Sequence, residues 1–234
     1  MNCIFCQNYE ISQLGKGKEI TIEGLADIMI KQQENGVENI NLVTPTSYAL
    51  HIIEAIKIAR KNGLYIPIVY NTNGYESVET LKMLEGYIDI YLPDLKYFYD
   101  ELGKEYSKVN NYFEVATKAI KEMYRQVGTP QLDDNGIMKK GLMIRHLILP
   151  NQVENSKQVL KWIKENIDNN VFVSIMAQYF PTYKAKDNVY GINRKLYNEE
   201  WKEIQREISN LGIENGFIQE LGEHEEEYVP KWDY

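Results

Sequence analysis

The sequence predicts an α/β fold built on a parallel sheet, and three observations support this class. Short β-branched runs alternate along the chain with longer amphipathic helical segments. Glycine follows several of these helical segments, where a left-handed residue commonly ends a helix. The chain of 234 residues is long enough for one sizeable core. Strands separated by such helices pair in parallel, so the candidates are an open doubly wound sheet and a βα barrel.

The predicted elements follow one another as a repeating helix and strand unit. The first helix spans residues 20–35, has Thr21 as a candidate N-cap, and is followed by Gly36. Further helices are predicted over residues 47–62, 77–84, 111–127 and 153–167, and a last one over residues 201–211. Strands are predicted over residues 39–43, 66–70, 88–92, 142–149, 171–177 and 217–221.

Two stretches fall outside this repeat. Residues 131–140 contain Asn135 and Gly136, a dipeptide that strongly favours a hairpin turn, so we expect a surface insertion there. Residues 223–234 form an acidic C-terminal tail, which we expect to be solvated and separate from the main domain of residues 1–222.

The composition limits the classes of function. A net charge of -8 and an isoelectric point near 5.1 argue against a nucleic-acid partner, because such binding depends on clustered Lys and Arg. The sequence has neither an apolar run of about 18 residues nor a secretory signal pattern, so we expect no membrane partner and a cytoplasmic location. Small molecules or proteins are the expected partners.

The two cysteines of the chain, Cys3 and Cys6, are its most informative residues. They are separated by two residues, with the aromatic Phe5 just before the second. A thiolate pair at this spacing can bind one iron or zinc ion, yet a tetrahedral site needs further ligands. A disulfide across so short a loop would add little stability. The residues alone leave a redox pair, a zinc knuckle and an iron–sulfur site open.

Polar residues follow five consecutive predicted strands. Because parallel sheets bind ligands at the carboxyl ends of their strands, we expect a binding site at this edge. An ordinary ion pair between Asp94 and Lys96, and a packed role for His146, are the alternatives to ligand binding. The polar residues at the five strand ends include Thr44, Thr46, Asn71, Asn73, Asp94, Lys96, Arg145, His146 and Gln178.

Several stretches resemble the radical S-adenosylmethionine (SAM) superfamily. Cys3-Ile4-Phe5-Cys6 resembles the end of the cluster loop of these enzymes, which reads Cys, three residues, Cys, one residue, aromatic, Cys. The resemblance is to the uncharacterised branch related to pyruvate formate-lyase activating enzymes, and it runs in order over most of residues 1 to 220. The matching stretches are residues 6–12, 39–46, 69–75, 90–97 and 145–150.

This resemblance implies a fold, an activity and a set of partners. The fold would be a partial (β/α)6-type barrel, and the cofactors a [4Fe-4S] cluster, with Cys3 and Cys6 as metal ligands, and SAM. The activity would be reductive cleavage of SAM to a 5′-deoxyadenosyl radical for hydrogen abstraction, in an oxidoreductase-type enzyme similar to glycyl-radical activases. A reductant such as flavodoxin or ferredoxin and a protein substrate would be its partners. The implied cofactor-binding residues are Phe5, Thr44, Thr46, Asn71, Asn73, Asp94, Lys96, Arg145, His146 and Gln178.

The sequence departs from the family pattern at two places. The cluster loop requires a cysteine four positions before Cys3, and the strand that precedes this loop in relatives is missing too. We therefore expect a barrel that lacks its first strand, an N-terminally truncated chain, and an unpaired edge at residues 39–43. Thr44 and Thr46 stand where relatives have a Gly-Gly-Glu type motif, so its carboxylate is absent. A CxxC thiol redox protein and a non-catalytic metal- or SAM-binding remnant are the alternative functions.

Overall fold

A computed structural model of the chain describes residues 1–219 and 221. The predicted acidic tail of residues 223–234 lies outside the described residues. The strands are β1 (Ile40–Val43), β2 (Ile68–Thr72), β3 (Ile90–Pro93), β4 (Gln131–Leu132), β5 (Met138–Leu147), β6 (Phe172–Met176) and β7 (Gly216–Ile218). The α-helices are α1 (Tyr9–Ser12), α2 (Ile22–Glu34), α3 (Ala49–Lys61), α4 (Val78–Met83), α5 (Asp100–Ser107), α6 (Tyr112–Val127), α7 (Val153–Asn166) and α8 (Asn198–Leu211).

The described strands form one sheet, which confirms the predicted α/β class. Its order is β1-β2-β3-β5-β6-β7, and every neighbouring pair along this path is parallel. The short strand β4 pairs antiparallel with β5, so the predicted hairpin insertion is confirmed. In the described part of the chain β1 lies at one end of the sheet, as expected for residues 39–43.

Local sequence signals explain where the helices begin and end. Thr21 caps α2, since its hydroxyl accepts a hydrogen bond of 3.0 Å from the backbone N–H of Gly24, and Gly36 follows the helix with a φ of +80°. Helix α5 was not predicted because its segment is polar and contains Gly103. A methyl group on Gly103 would lie 3.0 Å from Cβ of Tyr112, so glycine allows α5 to pack closely against α6.

The two faces of the sheet have different roles. Side chains alternate along each strand, so Tyr70 of β2 and Tyr91 of β3 point toward the helices, where their rings pack at 5.8 Å and are fully buried. We call this side the helix face. Asn71 of β2 and Arg145 of β5 point to the other side, which we call the open face. Within the described residues, no helix is both long enough and apolar enough to cross a membrane.

Candidate functional site

A network of charged and polar side chains occupies the open face at the carboxyl edge of the sheet. Nε of Arg145 donates a 2.9 Å hydrogen bond to Oδ1 of Asp94, and its Nη2 donates one of 2.6 Å to Oδ1 of Asn71. Nζ of Lys96 lies 2.5 Å from Oδ2 of Asp94. Four of the residues that the sequence singled out therefore form one connected cluster. We call it the open-face cluster.

The open-face cluster carries more positive than negative charge. Two cations, Lys96 and Arg145, share the single carboxylate of Asp94, whose side chain is 12% exposed. Burial alone would raise the pKa of Asp94, but the neighbouring charges of Arg145 and Lys96 outweigh burial and hold that pKa below its usual value. The ionised cluster thus has a surplus positive charge at the sheet edge, which suits an anionic group such as a carboxylate.

The turn after β2 is packed directly against the end of β3. Gly74 has a φ of +80°, and a methyl group on it would lie 2.2 Å from the carbonyl oxygen of Asp94, so only glycine fits there. The hydroxyl of Tyr112 lies 2.9 Å from the carbonyl oxygens of Asn73 and Asp94 and accepts a hydrogen bond from the N–H of Lys96. The side chain of Asn73 bonds within its own turn instead of joining the cluster.

The cysteine loop is fixed between α5 and a 3-10 turn at Tyr183–Lys186. The N–H of Cys6 donates to the carbonyl of Cys3 at 3.2 Å, which closes the loop on itself. The N–H of Ile4 donates to the carbonyl of Tyr106 in α5, and the carbonyl of Ile4 accepts from the N–H of Ala185. These backbone bonds hold both cysteines on one tight turn.

The two thiols have different surroundings. Sγ of Cys3 lies 3.0 Å from the hydroxyl of Ser107, the last residue of α5, whereas Sγ of Cys6 lies 3.3 Å from the hydroxyl of Ser12 in an exposed contact. Burial raises the pKa of the Cys3 thiol, and the positive charge of Lys96 opposes this rise. The charge of Lys96 therefore acts on the cysteine loop as well as on Asp94.

The donor chemistry of the loop fits part of an iron–sulfur site. Both cysteines are free thiols, and thiolates are the usual ligands of iron–sulfur clusters. Among the described residues no group of three or more His, Cys, Asp or Glu side chains is placed to hold a metal ion. Since the whole sequence has two cysteines, a cluster held by three thiolates needs one from outside these 234 residues.

Three other predicted site residues make no side-chain hydrogen bond to the open-face cluster in the described part of the chain. The ring of Phe5 is 8% exposed and packs edge to face on Tyr179 at 6.0 Å, within the core. Gln178 is half-buried just after β6. Thr44 is exposed at the end of β1 with a φ of +52°, and its N–H donates to the carbonyl of Asn71.

The structure does not bring His146 to the open-face cluster, although Arg145 precedes it. Neighbouring residues on a strand point to opposite faces, and His146 lies on the helix face with no exposed surface. Its Nδ1 donates to the carbonyl of Leu95 at 2.6 Å, and its Nε2 accepts from the hydroxyl of Ser156 at 2.8 Å. Burial lowers the pKa of His146 to about 4, so the ring is neutral at pH 7. Its observed contacts are those of a packed, hydrogen-bonded residue.

Sequence reasoning missed Glu76, which lies in a second polar group at the same edge. Its Oε1 accepts hydrogen bonds from the hydroxyls of Thr46, at 2.6 Å, and Thr72. Its Oε2 is buried without a hydrogen-bond partner, as is the nearby hydroxyl of Tyr70. We call these four residues the helix-face cluster. The available signal was the position of Glu76 in the turn directly after β2.

Comparison with known proteins gives one family. A family model for the radical SAM superfamily matches residues 1–131. An uncharacterized protein of Methanocaldococcus jannaschii is 36% identical over 208 residues, which cover 85% of this chain and 56% of that protein. The chain therefore spans little more than half the length of this curated relative.

Solved structures share the fold at low sequence identity. A domain of a pyruvate-formate lyase-activating enzyme from Bacteroides vulgatus has a TM-score of 0.52 at 12% identity, and the match covers 78% of this chain and 98% of that one. The hydrogenase maturase HydG from Carboxydothermus hydrogenoformans has a TM-score of 0.61 at 15% identity, with 97% and 53% covered. The structure of anSMEcpe with bound AdoMet has a TM-score of 0.59 at 15% identity, with 93% and 60% covered.

These likenesses confirm the radical SAM barrel type of fold that the resemblance implied. The family match itself covers more than half of the 234 residues and includes both cysteines. On this basis the chain belongs to the radical SAM superfamily.

Proposed function

We propose that this protein binds SAM at the carboxyl edge of its sheet and cleaves it reductively with an iron–sulfur cluster. The observation that carries the proposal is the course of residues 94–97. Asp94 and Lys96 belong to the open-face cluster, while the hydroxyl of Tyr97 lies 2.7 Å from that of Ser107, which contacts Cys3. One short segment thus links the thiol pair to a surplus of positive charge.

Each residue has a defined part in this proposal. Cys3 and Cys6 would be two of the ligands of a [4Fe-4S] cluster, which would supply the electron for cleavage of the sulfonium. Lys96 and Arg145 bind the carboxylate of the methionine end of SAM by charge-assisted hydrogen bonds. Asn71 holds the guanidinium of Arg145 in place through its 2.6 Å bond, so this cation is oriented before the ligand arrives.

The proposal also covers the substrate, the electron donor and the cellular location of the protein. The proposal includes hydrogen abstraction from a protein substrate, with flavodoxin or ferredoxin as the electron donor; membership of the superfamily supports the radical chemistry itself. The fold likeness alone does not select among substrates, because one fold serves many reactions. A cytoplasmic location fits the low-potential chemistry proposed here.

A dithiol redox function is the second candidate. It is favoured by the two free cysteines on one tight turn, and it needs no third ligand. In this case the isolated protein would cycle between a dithiol and a Cys3–Cys6 disulfide with a measurable potential, and would bind no iron.

The first experiment supplies the third thiolate. The chain is extended by Cys and one further residue before Met1, so that a cysteine stands four positions before Cys3. A matched version carries Ser at that place. After anaerobic reconstitution with ferrous iron and sulfide, we expect the Cys version to bind four irons, as a [4Fe-4S] cluster requires. With a chemical reductant added, we expect it to release 5′-deoxyadenosine from SAM. A colourless, iron-free Cys version would refute the proposal.

The second experiment tests the cation site. We expect Lys96→Met in the cluster-loaded protein to weaken SAM binding by about tenfold or more, because a buried charge-assisted contact is lost. Lys118→Met is the matched control, since Lys118 is an exposed residue of α6. Equal SAM affinity in both variants, measured by calorimetry, would remove Lys96 from the proposed site.

A further inference from the structure

The thiol of Cys3 is backed by a buried chain of two hydroxyl groups. Sγ of Cys3 lies 3.0 Å from Oγ of Ser107, and this Oγ lies 2.7 Å from the hydroxyl of Tyr97. Ser107 and Tyr97 both have no exposed surface. The bond between Tyr97 and Ser107 is therefore shielded from water, and the part-buried contact at Cys3 is built by the fold itself.

The Cys3 sulfur, as the final acceptor, sets the direction of these two hydrogen bonds. A metal-bound thiolate has no proton and can only accept a hydrogen bond. The Ser107 hydroxyl must then donate to Cys3, which leaves its oxygen free to accept from the hydroxyl of Tyr97. Both donors are satisfied when Cys3 is a thiolate.

Ser107 also holds the backbone of the cysteine loop. Its carbonyl accepts a 3.0 Å hydrogen bond from the N–H of Asn2, and the next residue, Lys108, ends α5 in the left-handed region with a φ of +57°. One residue at the end of a helix therefore fixes both the path of the loop and the position of the Cys3 sulfur.

The partner of Cys6 is different. Ser12 lies in the four-residue helix α1, its hydroxyl is 3.3 Å from Sγ of Cys6, and the contact is exposed to solvent. Water can replace such a bond with little loss. The two sulfurs of the motif are thus unequally supported.

We propose that Ser107 is a positioning residue that donates a hydrogen bond to the metal-bound thiolate of Cys3, with Tyr97 orienting its hydroxyl. Cys3 is then the fixed ligand of the pair and Cys6 the more exchangeable one. This inference rests on the proposed function, since it assigns the cysteines to a metal. The hydroxyls next to metal ligands commonly set ligand orientation and redox potential in this way.

The test uses Co²⁺ as a probe of the thiolate pair in the chain of 234 residues. Binding is followed by the thiolate-to-cobalt charge-transfer absorption under anaerobic conditions. We expect Ser107→Ala to weaken Co²⁺ binding by about 10- to 100-fold and to shift the absorption band, as loss of a partner behind a metal ligand does. Ser12→Ala should have a clearly smaller effect, and the exposed Ser209→Ala none.

A second variant separates positioning from folding. Tyr97→Phe keeps the buried ring but removes the outer hydroxyl, so we expect a weaker effect in the same direction. Melting temperatures identify any variant that has lost its fold. In the cluster-loaded, extended protein, Ser107→Ala should also lower the midpoint potential, because a hydrogen bond to sulfur favours the reduced cluster.

The outcomes for the two proposals are distinct. Equal Co²⁺ affinity and an unchanged band in Ser107→Ala and Ser12→Ala would overturn the positioning role. If the extended protein assembles no cluster while Ser107→Ala still weakens Co²⁺ binding, the proposed SAM cleavage fails and the positioning role stands.

Discussion

The two polar clusters at the carboxyl edge of the sheet hold buried carboxylates in opposite ways. In the open-face cluster, Asp94 lies between the cations Lys96 and Arg145. In the helix-face cluster, Glu76 has two hydroxyl donors on one oxygen and no hydrogen-bond partner on the other. The two clusters are close together, because the turn after β2 contacts the end of β3 where Gly74 packs on the carbonyl of Asp94.

This difference sets the charge of each cluster. The cations hold the pKa of Asp94 below its usual value despite burial, whereas burial raises the pKa of Glu76 and the neighbouring hydroxyls, chiefly that of Thr46, only partly oppose it. Burial is common to both carboxylates, so the cations account for the difference. The open face therefore holds its carboxylate in the ionised form between two cations, whereas burial on the helix face favours the neutral form of Glu76.

The largest expected effect comes from removing the central carboxylate of the open-face cluster. Asp94→Asn leaves Lys96 and Arg145 close together without a counter-charge, so we expect the free energy of unfolding to fall by about 3 kcal/mol. Urea unfolding at pH 7 measures this change. Glu114→Gln removes one partner of an exposed ion pair on α6 and should lower the free energy of unfolding far less. Equal costs for the two variants would mean that the open-face charges are solvated like surface charges.

The next effect concerns His146, the helix-face neighbour of Arg145. Its pKa in the folded protein is about 4, below its ordinary value of 6.5. The unfolded chain therefore takes up a proton as the pH falls from about 6.5 to 4, while the folded protein does not. Stability from this residue is complete above pH 6.5 and is lost progressively toward pH 4, by up to about 3 kcal/mol.

The measurement for His146 has two parts. Titration of the imidazole carbon signals by NMR should show His146 neutral down to about pH 4. Unfolding free energies across the same range should decline less steeply in His146→Asn, with the exposed His51→Asn as the control that keeps the slope. A His146 signal that titrates near pH 6.5 would contradict the burial argument.

Most of the sheet could be predicted from the sequence because its strands are β-branched and its helices are amphipathic. The hydrophobic pattern failed where an element contains polar residues. The strand predicted at residues 66–70 spans Ile68–Thr72, because its last two residues are the polar Asn71 and Thr72. The polar segment of α5 was missed for a similar reason, although it supplies Ser107. Polar residues of the candidate site thus blurred the boundaries of the elements that carry them.

The sequence singled out the four residues of the open-face cluster, but not the geometry that joins them. Alternation along β5 already implied that Arg145 and His146 face opposite sides, yet the sequence does not say which side is open. The pairing of Arg145 with Asp94 depends on the neighbouring positions of β3 and β5, which are far apart in the chain. Glu76 escaped notice because its hydroxyl partner Thr46 comes from the loop after β1, thirty residues earlier.

The smallest expected effect, at Glu76, sharpens the comparison most directly. Because its pKa is raised in the folded protein, the carboxyl group contributes stability when protonated at low pH and loses it as the pH rises through the folded-state pKa. Glu76→Gln keeps an oxygen for Thr46 and Thr72 and gains an N–H for the unpartnered hydroxyl of Tyr70. We expect this variant to be more stable than the parent by about 1 kcal/mol at pH 7.

The higher stability of Glu76→Gln should vanish below pH 4.5, the ordinary pKa of a glutamate. At that pH the parent carboxyl group is protonated and therefore uncharged, like the amide that replaces it. Chemical unfolding at pH 7 and pH 4 measures it, with Glu79→Gln on α4 as the exposed control. A variant less stable than the parent at pH 7 would show that Glu76 is an ionised and compensated carboxylate. The contrast between the two clusters would then lie in the kind of donor, hydroxyl or cation, and no longer in the charge that each cluster keeps.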